Sequence, residues 1–305
     1  MLQVTVDVFS GRPNPSWVVA DEAEARSLLR EFSRERPLMA AAPTQDGGLG
    51  LRGLQIEPLS DELDKDFGQA AAGYLRLGPQ ATGRERELAE RVLASMDQGL
   101  PTAASAEALP LETPLQEFLA QQLEVGSRVS ATDSSGIAAP EAEEAAAVGP
   151  AVTCMIELGA FNPGFWNNDP TTRARNNCYN YASNKRTNTF AQPGKGCGRM
   201  YTAITCAEMT RASLCDGLHR RFDCFPDSEK PRYLVALVVA PGPGFVDFHW
   251  YRKQKEGFWG HKPGGTAARN TDNSGRVIMD PSTCDRGPYT LFCGYFYTCR
   301  SQRIA

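Results

Sequence analysis

A thiol becomes a nucleophile when a base stands beside it, a third group orients that base, and N–H donors await the oxyanion. All nine cysteines of this 305-residue chain (Cys154, Cys178, Cys197, Cys206, Cys215, Cys224, Cys284, Cys293, Cys299) and all three histidines lie after residue 150. Cys178 has the most suggestive surroundings. It follows Asn176 and Asn177, both good N-cap residues, which puts it in the first turn of a helix. There the helix dipole and orphan N–H groups lower a thiol pKa and supply an oxyanion donor. His249 sits in the alternating stretch Asp247-Phe248-His249-Trp250-Tyr251-Arg252, and His261 follows twelve residues later. A turn at 254–257 sets the two histidines on adjacent antiparallel strands within about one residue of register, where facing Cβ atoms lie about 5 Å apart. This reading makes Cys178 the nucleophile, His249 its base and His261 the group that fixes the His249 tautomer. Plainer roles stand beside each: Cys178 as half of a disulfide, His249 as a core residue between Phe248 and Trp250, His261 as a turn residue. His219, beside Arg220 and Arg221, reads as a solvated helix position.

A helix-initial cysteine, a strand histidine and a second polar residue a dozen positions on resemble the NlpC/P60 cysteine peptidases. The resemblance spans residues 178–262 and is one of order and spacing. It implies a papain-like fold and hydrolysis of a peptide or amide bond, with a peptidoglycan-type substrate. Carried over by position, Cys178 is the nucleophile, His249 the base and His261 the third member. The sequence departs from that family at Asn177, where Asp is usual, and at Tyr179, where a small residue is usual. The interval from Cys178 to His249 is also long and holds four more cysteines. An acid as third member, Asp272 or Asp280 with Asn273 nearby, gives a transglutaminase-like Cys-His-Asp acyl transferase instead. Residues 272–275 read more simply as a turn and Asp280-Pro281 as a strand end. No cofactor is implied, and a zinc site on Cys178, His249 and His261 has no fourth ligand indicated. The non-catalytic alternative is a secreted, disulfide-stabilised binding or toxin-like module.

The elements that must position these residues come with their own constraints. Nine cysteines in about 150 residues match the density of oxidised extracellular domains, and none has C-x-x-C spacing. The odd count is met by four disulfides and one free thiol. Residues 1–150 carry 12 Lys/Arg against 24 Asp/Glu, and residues 151–305 carry 20 against 12, so the halves stand at −12 and +8. Such opposition favours docking of the N-terminal domain on the C-terminal one, as a cover, inhibitor or targeting module. The basic residues of the second half are too dispersed for a nucleic-acid footprint. No apolar run is long enough for a transmembrane segment. The N-terminus alternates like a strand and lacks the basic and apolar regions of a conventional signal peptide.

The expected fold class is α+β, in three parts. Residues 1–125 form a small acidic α/β domain without a phosphate-binding glycine fingerprint. Strands are expected at 2–9, 16–19 and 51–56. Helices are expected at 22–32 behind Asp21, at 83–96 behind Thr82 or Gly83, and at 113–123 with Pro114 at N1. Residues 126–150, small, polar and nearly without bulky apolar groups, form a flexible linker. Residues 151–305 form the papain-like, disulfide-rich domain, with strands at 154–158, 233–240 and 246–253 and a return strand at 258–262.

Overall fold

Alternation of apolar and polar residues starts the chain as β1, Leu2–Asp7, whose Leu2, Val4 and Val6 are buried. The structure is a computed structural model that describes residues 1–35, 39–40, 48–67, 72–77, 81–101, 113–128, 156–220 and 226–305. Strand β1 pairs with β2 (Ser16–Val19) and β4 (Gly53–Pro58). With β3 (Met39–Ala40), β5 (Gly73–Arg76) and β6 (Leu100–Pro101) they make an antiparallel sheet of order β3-β5-β4-β1-β2-β6. Helix α1, Glu22–Arg34, begins where Asp21 accepts the Glu24 N–H, and it buries Ala25, Leu28, Leu29 and Phe32. A short α2, Asp61–Phe67, follows β4. Helix α3, Gly83–Ala94, starts at a reciprocal capping box between Thr82 and Glu85. Helix α4, Thr113–Arg128, runs past the boundary expected at 125, because Glu124 and Val125 continue a helix-compatible sequence. Of the expected linker, residues 129–150 lie outside the described residues. In the interior of this unit, Arg52 donates to Asp7 at 2.6 Å and the Tyr74 hydroxyl donates to the same carboxylate at 2.9 Å.

By its contacts the chain divides into two units. The first gathers Met1–Phe9, Pro13–Thr132 and Gly242–Phe245; the second gathers Ser10–Arg12, Asp133–Pro241 and Val246–Ala305. The tripeptide Ser10–Arg12 therefore belongs with the second unit despite its place in sequence.

That second unit is built on a sheet of order β10-β9-β8-β11-β7. Its strands are β7 (His219–Arg220), β8 (Leu234–Pro241), β9 (Val246–Lys253), β10 (Trp259–His261) and β11 (Leu291–Tyr297), all paired antiparallel. Two short helices, α5 (Gly164–Asn167) and α6 (Pro170–Arg175), lead to α7 (Cys178–Ser183), every residue of which is buried. Helix α8, Cys206–Cys215, begins behind Thr205. The core joins Cys178 and Tyr179 of α7 to Val235, Leu237 and Val239 of β8 and to Phe248 and Trp250 of β9. His219 stands in a strand rather than in the expected helix, paired with Tyr297. Of the strand expected at 154–158, Cys154 and Met155 lie outside the described residues, and 156–158 form no regular element.

Disulfides join Cys197 to Cys215 and Cys206 to Cys293. Cys178, Cys284 and Cys299 carry thiols, and Cys154 and Cys224 lie outside the described residues. Three thiols among nine cysteines leave room for at most three disulfides, so the four-disulfide arrangement does not hold. An odd count cannot reveal two further unpaired cysteines; only their placement does.

Candidate active site

Asn177 is extended (φ −105°, ψ −165°), and its side-chain oxygen accepts the N–H groups of Tyr179 and Asn180. The Asn180 side chain returns the favour by accepting the Asn177 N–H at 3.1 Å. This reciprocal cap fixes Cys178 as the first residue of α7, as its asparagines predict. The thiol is fully buried, with Sγ 3.9 Å from the Phe248 carbonyl. The Trp250 amide and the thiol's own amide both favour its ionised form. Cys178 therefore lies against the backbone of the two residues that flank His249.

Strand alternation sends Phe248 and Trp250 into the core and His249 to the other face, among Tyr251, Tyr289 and His261. The hairpin register differs from expectation: His261 faces Tyr251, two residues beyond His249. An offset of two preserves the face, and diagonal neighbours remain within reach of long side chains. His249 Nε2 and His261 Nδ1 lie 2.7 Å apart. The structure thus brings the two histidines together and sets Cys178 beside the backbone that carries one of them. Asp272 caps its own turn, accepting the Ser274, Arg276 and Asp285 amides, and Asp280 accepts the Tyr295 hydroxyl and the Ser282 amide. Both acids therefore have structural partners of their own, and neither makes a hydrogen bond to His249 among the described residues.

The proton positions follow from the partners. His261 Nε2 lies 2.8 Å from the Thr271 carbonyl, which can only accept, so Nε2 carries the hydrogen. The Arg269 Nε, 3.2 Å from that nitrogen, is the longer contact and meets a second donor. His261 Nδ1 is then the acceptor of the His249 Nε2–H, which leaves His249 with its lone pair on Nδ1. Burial first, and the Arg269 guanidinium second, hold the His261 pKa well below the ordinary imidazole range.

A depressed folded-state pKa on a base has a defined consequence for stability. Below about pH 6.5 the unfolded chain binds a proton that native His261 refuses, so stability falls as pH falls. At pH 5.5 this one group costs on the order of 1 kcal/mol relative to neutral pH. Urea unfolding at pH 7.5 and 5.5 should show that loss, and His261→Gln should remove about that much of the difference. An unchanged pH dependence in the variant would refute the assignment of a neutral His261.

The thiol departs from expectation. A helix-initial position predicts a lowered pKa, yet burial, followed by the Asp247 carboxylate, holds the Cys178 thiol well above its ordinary value. Full desolvation outweighs the amide donors. Asp247 is itself enclosed: it accepts from Ser10 N–H at 2.5 Å, Arg12 N–H at 2.9 Å, Gly11 N–H at 3.2 Å and the Tyr289 hydroxyl at 2.5 Å. Burial still raises its pKa. The Gly11 carbonyl accepts the side-chain amides of Asn177 and Gln192, each at 2.8 Å. The tripeptide is thus tied to β9 through Asp247 and to the start of α7 through Asn177. Nothing in the spacing of the sequence ties residues 10–12 to residues 177, 192 and 247. Their only local signal is the turn-rich stretch that follows β1.

Among the described residues, no group of three or more His, Cys, Asp or Glu side chains is placed to hold a metal ion, and no helix is long and apolar enough to cross a membrane. No protein-family model matches the chain, and no solved structure matches it. It is 52% identical over 135 residues to the insoluble matrix shell protein 1 of Ruditapes philippinarum, an alignment covering 44% of this chain and 86% of that protein. The disulfides and this likeness fit an extracellular location.

Proposed function

The chain belongs to the family of the insoluble matrix shell protein 1, and within that setting we propose that its second unit is a latent cysteine hydrolase acting on a peptide or amide bond. The observation that carries this reading is the 2.7 Å His249–His261 pair, with Cys178 lying against the backbone flanking His249. A cysteine helix packed on a histidine-bearing strand of an antiparallel sheet is also the layout of the papain-like, NlpC/P60-like fold that the sequence resembles. In the described conformation the His249 ring and the Cys178 thiol make no hydrogen bond, so the reaction begins with an opening that brings them together; the His249 Nδ1 lone pair then takes the Cys178 proton and the thiolate attacks the carbonyl carbon. The Cys178 amide, at the start of α7, is the donor for the oxyanion. His249 then gives its proton to the leaving amine, and water releases the acyl group from sulfur. His261, held by the Thr271 carbonyl, is a positioning residue that keeps the His249 proton on Nε2.

Latency follows from the burial and raised pKa of the thiol: in the described conformation it is protonated and covered. A second reading, a matrix component without catalysis, is favoured by that same burial and by the likeness to a shell matrix protein. The two separate on one experiment. The full chain and Cys178→Ala are assayed for amide release from a mixed peptide library, before and after limited proteolysis. The hydrolase reading expects product only with Cys178 present and a loss of at least about 10³-fold in the variant. Equal product from both chains, or none from either, would leave the matrix reading standing.

A further inference from the structure

Among the described residues, Arg252 is a guanidinium without a counterion. The residue is 6% exposed, and among the described residues its guanidinium hydrogen-bonds to Tyr181, Nη1 donating to that residue's carbonyl at 2.8 Å. Nε is buried without a partner, and among the described residues no carboxylate lies within ion-pair distance. The nearby Glu256 instead accepts the Phe161 N–H at 3.1 Å. Two ring faces hold the cation: its carbon stands 4.5 Å from the Tyr181 centroid and 5.3 Å from that of Tyr233. Ring faces attract a cation but do not neutralise it, and a desolvated guanidinium is expensive to hold unpaired.

The same residue lines an open cleft of about 210 Å³ in the second unit. Trp166 and Tyr233 form apolar walls, Phe165 stands 38% exposed at the edge, and the Asn162 and Asn184 side chains add amides. Arg186 lies 3.7 Å over the Phe165 ring and adds positive charge at the rim. An aromatic cleft with one uncompensated, nearly buried guanidinium is complementary to an anion carried on an apolar flank.

We infer that this cleft binds a carboxylate borne on an apolar or aromatic group, with Arg252 as the anion's partner. The inference is independent of the hydrolase reading, since none of Cys178, His249 and His261 lines the cleft. Either a small organic acid or the free C-terminus of a peptide supplies such chemistry. The full chain is titrated with benzoate, with neutral benzamide, and with an N-acetyl-dipeptide ending in Phe as the free acid and as the amide. Binding is read by tryptophan fluorescence and by calorimetry. The expected result is saturable binding of one or both acids, tighter by at least about tenfold than their neutral partners. Preference between the two acids identifies the source. Arg252→Met, which keeps the apolar stem, should abolish the acid preference, and Arg252→Lys should weaken it. Should Arg252→Met fail to fold, Phe165→Ala at the exposed edge should still weaken acid binding at least about threefold. Equal binding of acids and amides, no saturation below about 10 mM, or acid preference that survives Arg252→Met in a folded chain would overturn the assignment.

Discussion

Gly11→Val should raise the rate at which iodoacetamide modifies Cys178 by between about ten- and a hundred-fold. A Cβ at position 11 would stand 2.5 Å from both the Phe248 ring and the Phe248 carbonyl, and that carbonyl is the one the Cys178 sulfur faces. A whole isopropyl group cannot enter without displacing the tripeptide or the strand. Overpacking of this kind costs about 1–3 kcal/mol, and each 1.4 kcal/mol shifts an opening equilibrium tenfold. The tripeptide is the element that gives way more readily, because its hold is polar: three amides on Asp247 and one carbonyl on two side-chain amides. Strand β9 is tied along its length to β8. Alkylation followed by peptide mapping reads the rate at each cysteine, with Cys299 as an internal control for general unfolding. A Cys178 rate unchanged in a folded variant would show that residues 10–12 do not guard the thiol. Cys178 and Cys299 accelerating together would show loss of fold instead. In the native chain, the raised thiol pKa further predicts slow modification at neutral pH, rising only beyond the pH at which an exposed thiol ionises.

Why the two histidines were legible and the state of the thiol was not is a matter of range. His249 and His261 share one hairpin, so alternation and the Gln254–Gly257 turn suffice to put them on one face. An even error in register moves the pairing without moving the face. The cap on α7 was similarly local, since Asn177 and Asn180 act within three residues of Cys178. The sign of the thiol's pKa shift depends instead on Asp247 and on complete burial. Sequence contains the first only as one more strand residue and the second not at all. The same holds for the first unit. Asp21 and Thr82 announced their helices, whereas β5 has a short, weakly patterned sequence whose structure depends on pairing with β4. Cys284 and Cys299 give no sign in sequence of standing apart from disulfides. In sequence Arg252 is one more of the dispersed basic residues; its burial between two tyrosines emerges only when α7 packs on β9.

The second large effect is on stability. Replacing Cys206 and Cys293 by alanine should cost about 4–5 kcal/mol, and replacing Cys197 and Cys215 about 3 kcal/mol. The ordering comes from the length of chain each bond closes: 87 residues for Cys206–Cys293 and 18 for Cys197–Cys215. In the chain-entropy account, those lengths correspond to about 4.6 and 3.2 kcal/mol of restraint on the unfolded state. Placement adds to the difference. Cys197–Cys215 ties a loop to the end of α8, so its loss stays within one neighbourhood. Cys206–Cys293 ties the start of α8 to β11, which pairs with β8, and β8 in turn pairs with the His249 strand. Loss of that bond therefore weakens the support beneath the His249–His261 pair. Urea unfolding of the two double variants, each beside the parent under non-reducing conditions, measures both costs. A larger loss from the Cys197–Cys215 pair would mean that native packing, and not loop closure, sets the value of these bonds. A reductant should act in the same order: mild reduction that opens Cys206–Cys293 should unfold the second unit at urea concentrations the oxidised chain withstands.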